Sequence, residues 1–310
     1  MKELGRNVYL YIFVSLLIIY TVLVFSVPIN KTVLLHYHLS VFGLRSIELT
    51  YVIPQLIIWG MAYVGFTFLK KYSLSIVTDR DGKQMVKIAA GIGVLAFGGP
   101  IVSSISTALG AIAYSHPHFL PSATIINNYL ALLMATAAFL LIGWGAAGLS
   151  NLVKSKPSYK AIQLLTLIII FLGTVFCYLV FRSTLPNSLK IGLVSKPQYF
   201  LPDWLALTTL VIPYIFVWFN ASLAVLNFYG YHQKVKGTIY KKSLFFLASG
   251  IGLIGFSYIV LEYLSIVTAK IATLKIAALL GIIYPLLFLV GVGYALIALG
   301  AQKLHKIEEI

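Results

Sequence analysis

Eight stretches of this chain, at about 8–28, 48–69, 86–108, 125–150, 161–181, 204–229, 243–267 and 277–300, are apolar runs long enough to cross a bilayer. About 20 apolar residues carry a helix through a hydrocarbon core of roughly 30 Å. Backbone inside that core must satisfy its own N–H and C=O groups, which leaves helix as the form for runs of this length and excludes an open sheet. With 60% hydrophobic and 10% charged residues, the chain lacks the polar surface of a soluble globule, whose charged share is about a quarter. The expected fold is therefore all-α: a polytopic membrane protein of eight transmembrane helices, with no stretch left for a soluble domain.

A net charge of +15 would suggest nucleic acid in a soluble protein, so the placement of the 23 basic residues decides the matter. With the N-terminus inside, 16 fall on inner segments: Lys2, Arg6, Lys70, Lys71, Arg80, Lys83, Lys87, Lys154, Lys156, Lys160, Lys234, Lys236, Lys241, Lys242, Lys303 and Lys306. The outer segments carry seven: Lys31, Arg45, Arg182, Lys190, Lys196, Lys270 and Lys275. That bias over short loops predicts both termini in the cytoplasm. It accounts for the basic composition without a nucleic-acid partner and leaves an inner face suited to anionic lipids. The opening Met-Lys-Glu-Leu-Gly-Arg before an apolar run resembles a signal peptide. However, Ser26-Val-Pro-Ile-Asn30 offers no small-x-small cleavage site, so the run is expected to remain as the first helix. The single Cys177, within the fifth span, excludes an internal disulfide.

The sequence also looks duplicated. V-I-P-Q-L-I-I-W at 52–59 is matched by V-I-P-Y-I-F-V-W at 211–218, which sets Pro54 with Pro213 and Trp59 with Trp218 at a spacing of 159. At the same spacing Ala89, Gly91, Gly93 and Phe97 fall on Ala248, Gly250, Gly252 and Phe256, and Lys83 falls on Lys242. The outer pairs drift: Leu23-Val-Phe25 falls on Leu179-Val-Phe181 at 156, and Gly148 with Lys154 on Gly300 with Lys306 at 152. The expected organisation is two four-helix membrane repeats, 1–155 and 156–310. Four spans per half bring both copies in from the same side, so the repeats are parallel (4+4), not inverted. Pro54 and Pro213 remove a backbone donor near the outer end of the second helix of each half, where kinks against neighbouring protein are expected. Ala89 with Gly93, and Ala248 with Gly252, are small residues four apart, the spacing that admits close helix approach. The third and seventh helices are expected to run through the packed interior. Gly250-Ile-Gly252-Leu-Ile-Gly255 spells a dinucleotide fingerprint, but no strand precedes it and no carboxylate follows about 20 residues on. It reads as a packing motif.

Residues able to carry chemistry are few. Glu262 lies inside the seventh run, where an ionised group costs at least ~2–3 kcal/mol, and reads either as a proton or cation site or as an interfacial partner of Lys270 or Arg182. His36-Tyr-His38 and His116-Pro-His118 sit on the outer side; converging imidazoles there suit Cu(II) or Zn(II), while the plainer reading is interfacial polarity. No other cofactor is predicted. Trp59 and Trp218 are mid-span, away from the interfacial belt, and with Gln55, Tyr214 and Asn220 are placed to line a ligand-binding cavity on the repeat axis. The same aromatic residues fill a helical core equally well without a ligand. No Ser-His-Asp set, HExxH, nucleophile elbow or phosphate loop occurs, which points away from an enzyme.

The stretches Leu201-Pro-Asp-Trp-Leu205, 211–218, Lys234-Val-Lys-Gly-Thr-Ile-Tyr240 and Leu299-Gly-Ala-Gln-Lys-Leu-His-Lys-Ile-Glu-Glu309 resemble an uncharacterised multipass membrane protein family of reduced-genome bacteria. The resemblance, mainly in the second half, implies a bacterial cytoplasmic (inner) membrane location and no activity or site residue. Three functions fit these readings. The first is a transporter or permeation unit for a small neutral or lipid-like molecule. The second is a structural or assembly subunit with membrane-protein partners, and the third an outer-face metal-binding or redox protein.

Overall fold

The computed structural model describes residues 2–26, 41–76, 80–115, 120–151, 217, 220–228, 231, 238–270 and 276–308. Side chains are described within these at 8–26, 49, 52–76, 80–112, 130–131, 133–149, 217, 220–228, 231, 240–257 and 284–306. Six long helices account for most of them. They are α1 (Lys2–Ser26), α2 (Val41–Ser75), α3 (Arg80–Ser115), α4 (Leu120–Asn151), α5 (Thr238–Lys270) and α6 (Ile276–Glu308). A shorter helical stretch covers 220–228, and no strand occurs among the described residues.

Helices α2 to α6 overrun the apolar runs that announce them. An apolar run marks membrane depth, whereas i to i−4 bonding continues into the polar turns beyond it. At about 1.5 Å per residue, the 36 residues of α3 extend ~54 Å, well past a hydrocarbon core of roughly 30 Å. Val8–Ser26, Val52–Ser75, Arg80–Ile112 and Tyr284–Lys306 are each long and apolar enough to cross a membrane, and Leu133–Leu149 is a shorter apolar helix segment. The described protein is thus all-helical and suited to a membrane. The run at 161–181 and most of that at 204–229 lie outside the described residues. Pro54 lies within a helix that continues through it, as do Pro100 in α3 and Pro285 in α6, two positions that the duplicated motif does not single out. Pro213 lies outside the described residues.

The most extensive contacts join α3 to α4, α5 to α6, α2 to α6 and α2 to α3, with α1 lying more lightly on α3 and α2. Half of the Arg80–Ile112 window of α3 is buried in protein, against 11% of Val8–Ser26 in α1, so α3 is interior and α1 peripheral. The contacts give the directions. Residues 91 and 98 of α3 meet 138 and 134 of α4, an antiparallel pair. Ile58 meets Gly291 and Gly65 meets Ile297, which makes α2 and α6 parallel. The beginning of α1 and the end of α6 both lie against the last turns of α2, through Tyr9 with Lys70 and His305 with Phe68. They share one end of the bundle.

The pairs α3/α4 and α5/α6 are packed alike. A Cβ on Gly91 would stand 2.7 Å from the Ala138 carbonyl oxygen and 2.7 Å from Ile142 Cγ1. On Gly250 it would stand 2.5 Å from the Gly293 oxygen and 2.7 Å from Ile297 Cγ1. From the other side, Gly145 closes on the Gln84 oxygen and Ile88, and Gly300 on the Ser243 oxygen and Leu247. Gly93 faces Phe66 of α2, and Gly252 faces Val225 of the 220–228 helix. These partners stand 159 apart on α3 and α5, and on α2 and 220–228, but 155 apart on α4 and α6. The 152 spacing that Gly148 and Gly300 suggest is therefore displaced by one helical step. At 155, Ala135, Phe139, Ile142, Ala146 and Leu149 fall on Val290, Tyr294, Ile297, Ala301 and Leu304, all of them buried.

Glycine at these positions is required by space. Gly91→Ala and Gly250→Ala are each expected to lower stability by about 1–3 kcal/mol, the cost of overpacking a tight contact. Gly60→Ala and Gly110→Ala, where nothing lies within 4 Å, should be neutral or stabilise by up to ~1 kcal/mol through reduced backbone entropy. Thermal unfolding of the four variants in one detergent checks the contrast.

Candidate functional site

Helix α2 is the element that meets both groups of helices, and its faces divide cleanly. Gln55, Trp59, Tyr63, Phe66 and Lys70 recur at helical spacing on the side of α1 and α3. The Tyr20 hydroxyl of α1 donates to Gln55 Oε1. The Tyr20 ring stands edge-on to Trp59 with centroids 4.9 Å apart. Trp59, only 7% exposed, has its indole Nε1 directly over Gly99 of α3, where any Cβ would collide with it. Lower on this face, Phe13 stacks on Tyr63 at 4.4 Å, and Phe97 meets Phe13, Tyr63 and Phe66 nearly edge-on at 5.6–5.9 Å. Such geometries align the positive ring edge with a negative face. Lys70 Nζ closes the cluster 3.5 Å above the centroid of Tyr9.

Trp59 and Gln55 are therefore engaged by α1 and α3, while the face of α2 toward α6 carries Ile58, Ala62, Gly65 and Leu69. Asn220 is buried, at 1% exposure, at the start of the 220–228 helix. Tyr214 and Trp218 lie outside the described residues, as do His36, His38, His116 and His118; Glu262 is within α5, its side chain outside the described set. Among the described residues no three of His, Cys, Asp and Glu converge as metal ligands. Ala89 and Ala248 are both buried beside Gly93 and Gly252.

At the shared end of the bundle, two related contacts cross between the α1–α4 group and the later helices. Tyr72, the last buried ring of α2, packs against Tyr240 at the start of α5 with centroids 6.3 Å apart. Tyr231, 159 positions after Tyr72, donates its hydroxyl to Asp81 Oδ2 of α3 at 2.6 Å, and Asp81 stands 159 positions before Tyr240. Burial first, then the hydrogen bond to Asp81 and its negative charge, push the Tyr231 phenol well above its ordinary value, which keeps it a neutral donor. Around these ties stand Lys70, Lys71, Arg80, Lys83, Lys87, Lys241, Lys242, Lys303 and Lys306. Several lay their stems along rings: Lys87 Nζ sits 4.5 Å from Trp144, and Lys303 Nζ 4.4 Å from Phe246. This is how long cations cover apolar surface while the head stays in water.

Tyr20, Gly99, Asp81 and Tyr231 escaped the sequence reading. The recurrence of tyrosine at 72 and 231 was visible at the 159 spacing, but nothing local indicates that Tyr72 reaches α5 and Tyr231 reaches α3. Compared with protein-family models, curated proteins and solved structures, the chain matches none.

Tyr231→Phe, which removes a half-exposed hydrogen bond to a charged group, should cost about 1–2 kcal/mol, and Asp81→Asn, which keeps an amide oxygen to accept the phenol, roughly half as much. Because the folded phenol titrates above the unfolded one, this contribution is complete below about pH 10 and fades only at higher pH. The stability gap between wild type and Tyr231→Phe is expected to be constant from about pH 6 to 9 in chemical-denaturation series.

Proposed function

We propose that this chain is an eight-span protein of a bacterial inner membrane, built from two parallel four-helix halves with both termini cytoplasmic. Its activity is that of a transporter or permeation unit for a small neutral or lipid-like molecule, working where the halves meet. The observation that carries this is the like packing of α3/α4 and α5/α6, joined by the paired ties of Tyr72 and Tyr231. In transporters built from repeats, the site lies between the halves near the membrane midplane. The α2 face toward α6 offers Ile58, Ala62 and Gly65, small and apolar, and no charged side chain lies among the described residues at 52–69 or 284–302. A surface of that kind suits neutral cargo and does not suit an ion, which needs ligands in place of its water.

The engagement of Trp59 and Gln55 inside the first half favours a second reading, a structural subunit whose halves enclose nothing. Cysteine accessibility separates the two. In a Cys177→Ala background, Ala62→Cys should react with an aqueous, membrane-impermeant thiosulfonate from at least one face, clearly faster than the half-exposed, lipid-facing Ile57→Cys. If Ala62→Cys is as inert as Ile57→Cys in both right-side-out and inverted vesicles, the transport reading falls and the subunit reading stands.

A further inference from the structure

Helical spacing and exposure place an outward groove beside the contact between α2 and α6 at the basic end. On α2, Val64, Phe68 and Lys71 follow a stripe beside Gly65, which meets Ile297 and Ala298 of α6. On α6, Ala295 and Lys306 follow a stripe on the same side of Ala298. Both lysines are exposed, and Val64 is 42% exposed. Phe68 reaches from one helix to the other here: Lys71 Nζ lies 5.7 Å from its ring centroid and the His305 ring of α6, next in sequence to Lys306, 5.9 Å from it. The groove is thus cationic at its mouth and apolar below. Asp81, the one carboxylate among the described side chains at this end, accepts the Tyr231 hydroxyl elsewhere.

We propose that this groove seats one anionic phospholipid, its phosphate between Lys71 and Lys306 and an acyl chain along Val64 and Ala295. The depth fits. At about 1.5 Å per residue, Val64 lies ~10 Å below Lys71 and Ala295 ~16 Å below Lys306. One leaflet supplies about half of a roughly 30 Å core. A lysine resting over a ring at this level marks the headgroup boundary, where anionic lipid attracts basic side chains. A zwitterionic lipid brings its own ammonium to the same mouth and gains less. The inference rests on the membrane placement of the helices and is independent of transport.

Native mass spectrometry and thermal unfolding of detergent-purified full chain, titrated with phosphatidylglycerol or phosphatidylcholine, test it. Wild type should retain one phosphatidylglycerol and unfold at higher temperature with it than with phosphatidylcholine. Each surface lysine is worth about fivefold in retention, so Lys71→Gln with Lys306→Gln should lower it roughly 25-fold. The double arginine variant should keep it. Lys83→Gln with Lys242→Gln removes the same charge from α3 and α5 and should leave retention within about twofold, since a distant exposed charge is largely screened. The proposal is overturned if the two lipids act alike on wild type, or if the control pair loses as much as the groove pair, which would mean diffuse attraction. It is overturned equally if inorganic phosphate alone reproduces the thermal shift, which would make the ligand a free anion.

Discussion

Backbone approach at glycine is the constraint on which the rest of this structure depends. Between helices in lipid there is no gain from hiding apolar surface, since lipid is as apolar as leucine, so association draws on close van der Waals contact and a few polar ties. Gly91 and Gly145 bring α3 against α4, each glycine facing a carbonyl of the opposite helix, and Gly250 with Gly300 do the same for α5 and α6. Contacts this close are intolerant of a single methyl group, and they set both the direction and the register of each pair. Once α3 is fixed on α4, its remaining faces determine where α2 and α1 can lie.

Helix α2 then serves two neighbours with different chemistry. Toward α1 and α3 it presents rings, which interlock edge to face around Phe97 and wedge Trp59 over Gly99. Toward α6 it presents small and aliphatic residues, so the contact between the two groups of helices is smooth where the contact within the first group is interlocked. At one end of the bundle the hydrogen bond of Tyr231 and the ring contact of Tyr72 add ties between the two groups of helices.

The charge distribution follows from the same arrangement. The described lysines among those that bias the sequence toward one side are brought to one end of the bundle because α1, α3 and α5 begin there and α2, α4 and α6 finish there. Aromatic residues beneath them let the stems lie flat. What reads in the chain as scattered loop charge becomes a cationic rim over apolar grooves.

The sequence by itself determined that this chain is helical and suited to a membrane, because apolar runs of this length admit no other described form. The 159 spacing of its glycines also pointed to positions that share contacts, because close approach tolerates only the smallest residues. Tertiary structure decided the rotation of each helix. Residues toward lipid and residues toward protein are both apolar here, so the periodic contrast that orients a helix in water is missing. That is why the contacts of Gln55 and Trp59 with Tyr20 and Gly99 were not legible in the sequence. It is also why the correspondence of α4 with α6 emerges only from facing carbonyls: α4 carries glycine at both 145 and 148, and the contacts show that Gly145, closing on a backbone oxygen of α3, is the one that matches Gly300 against α5.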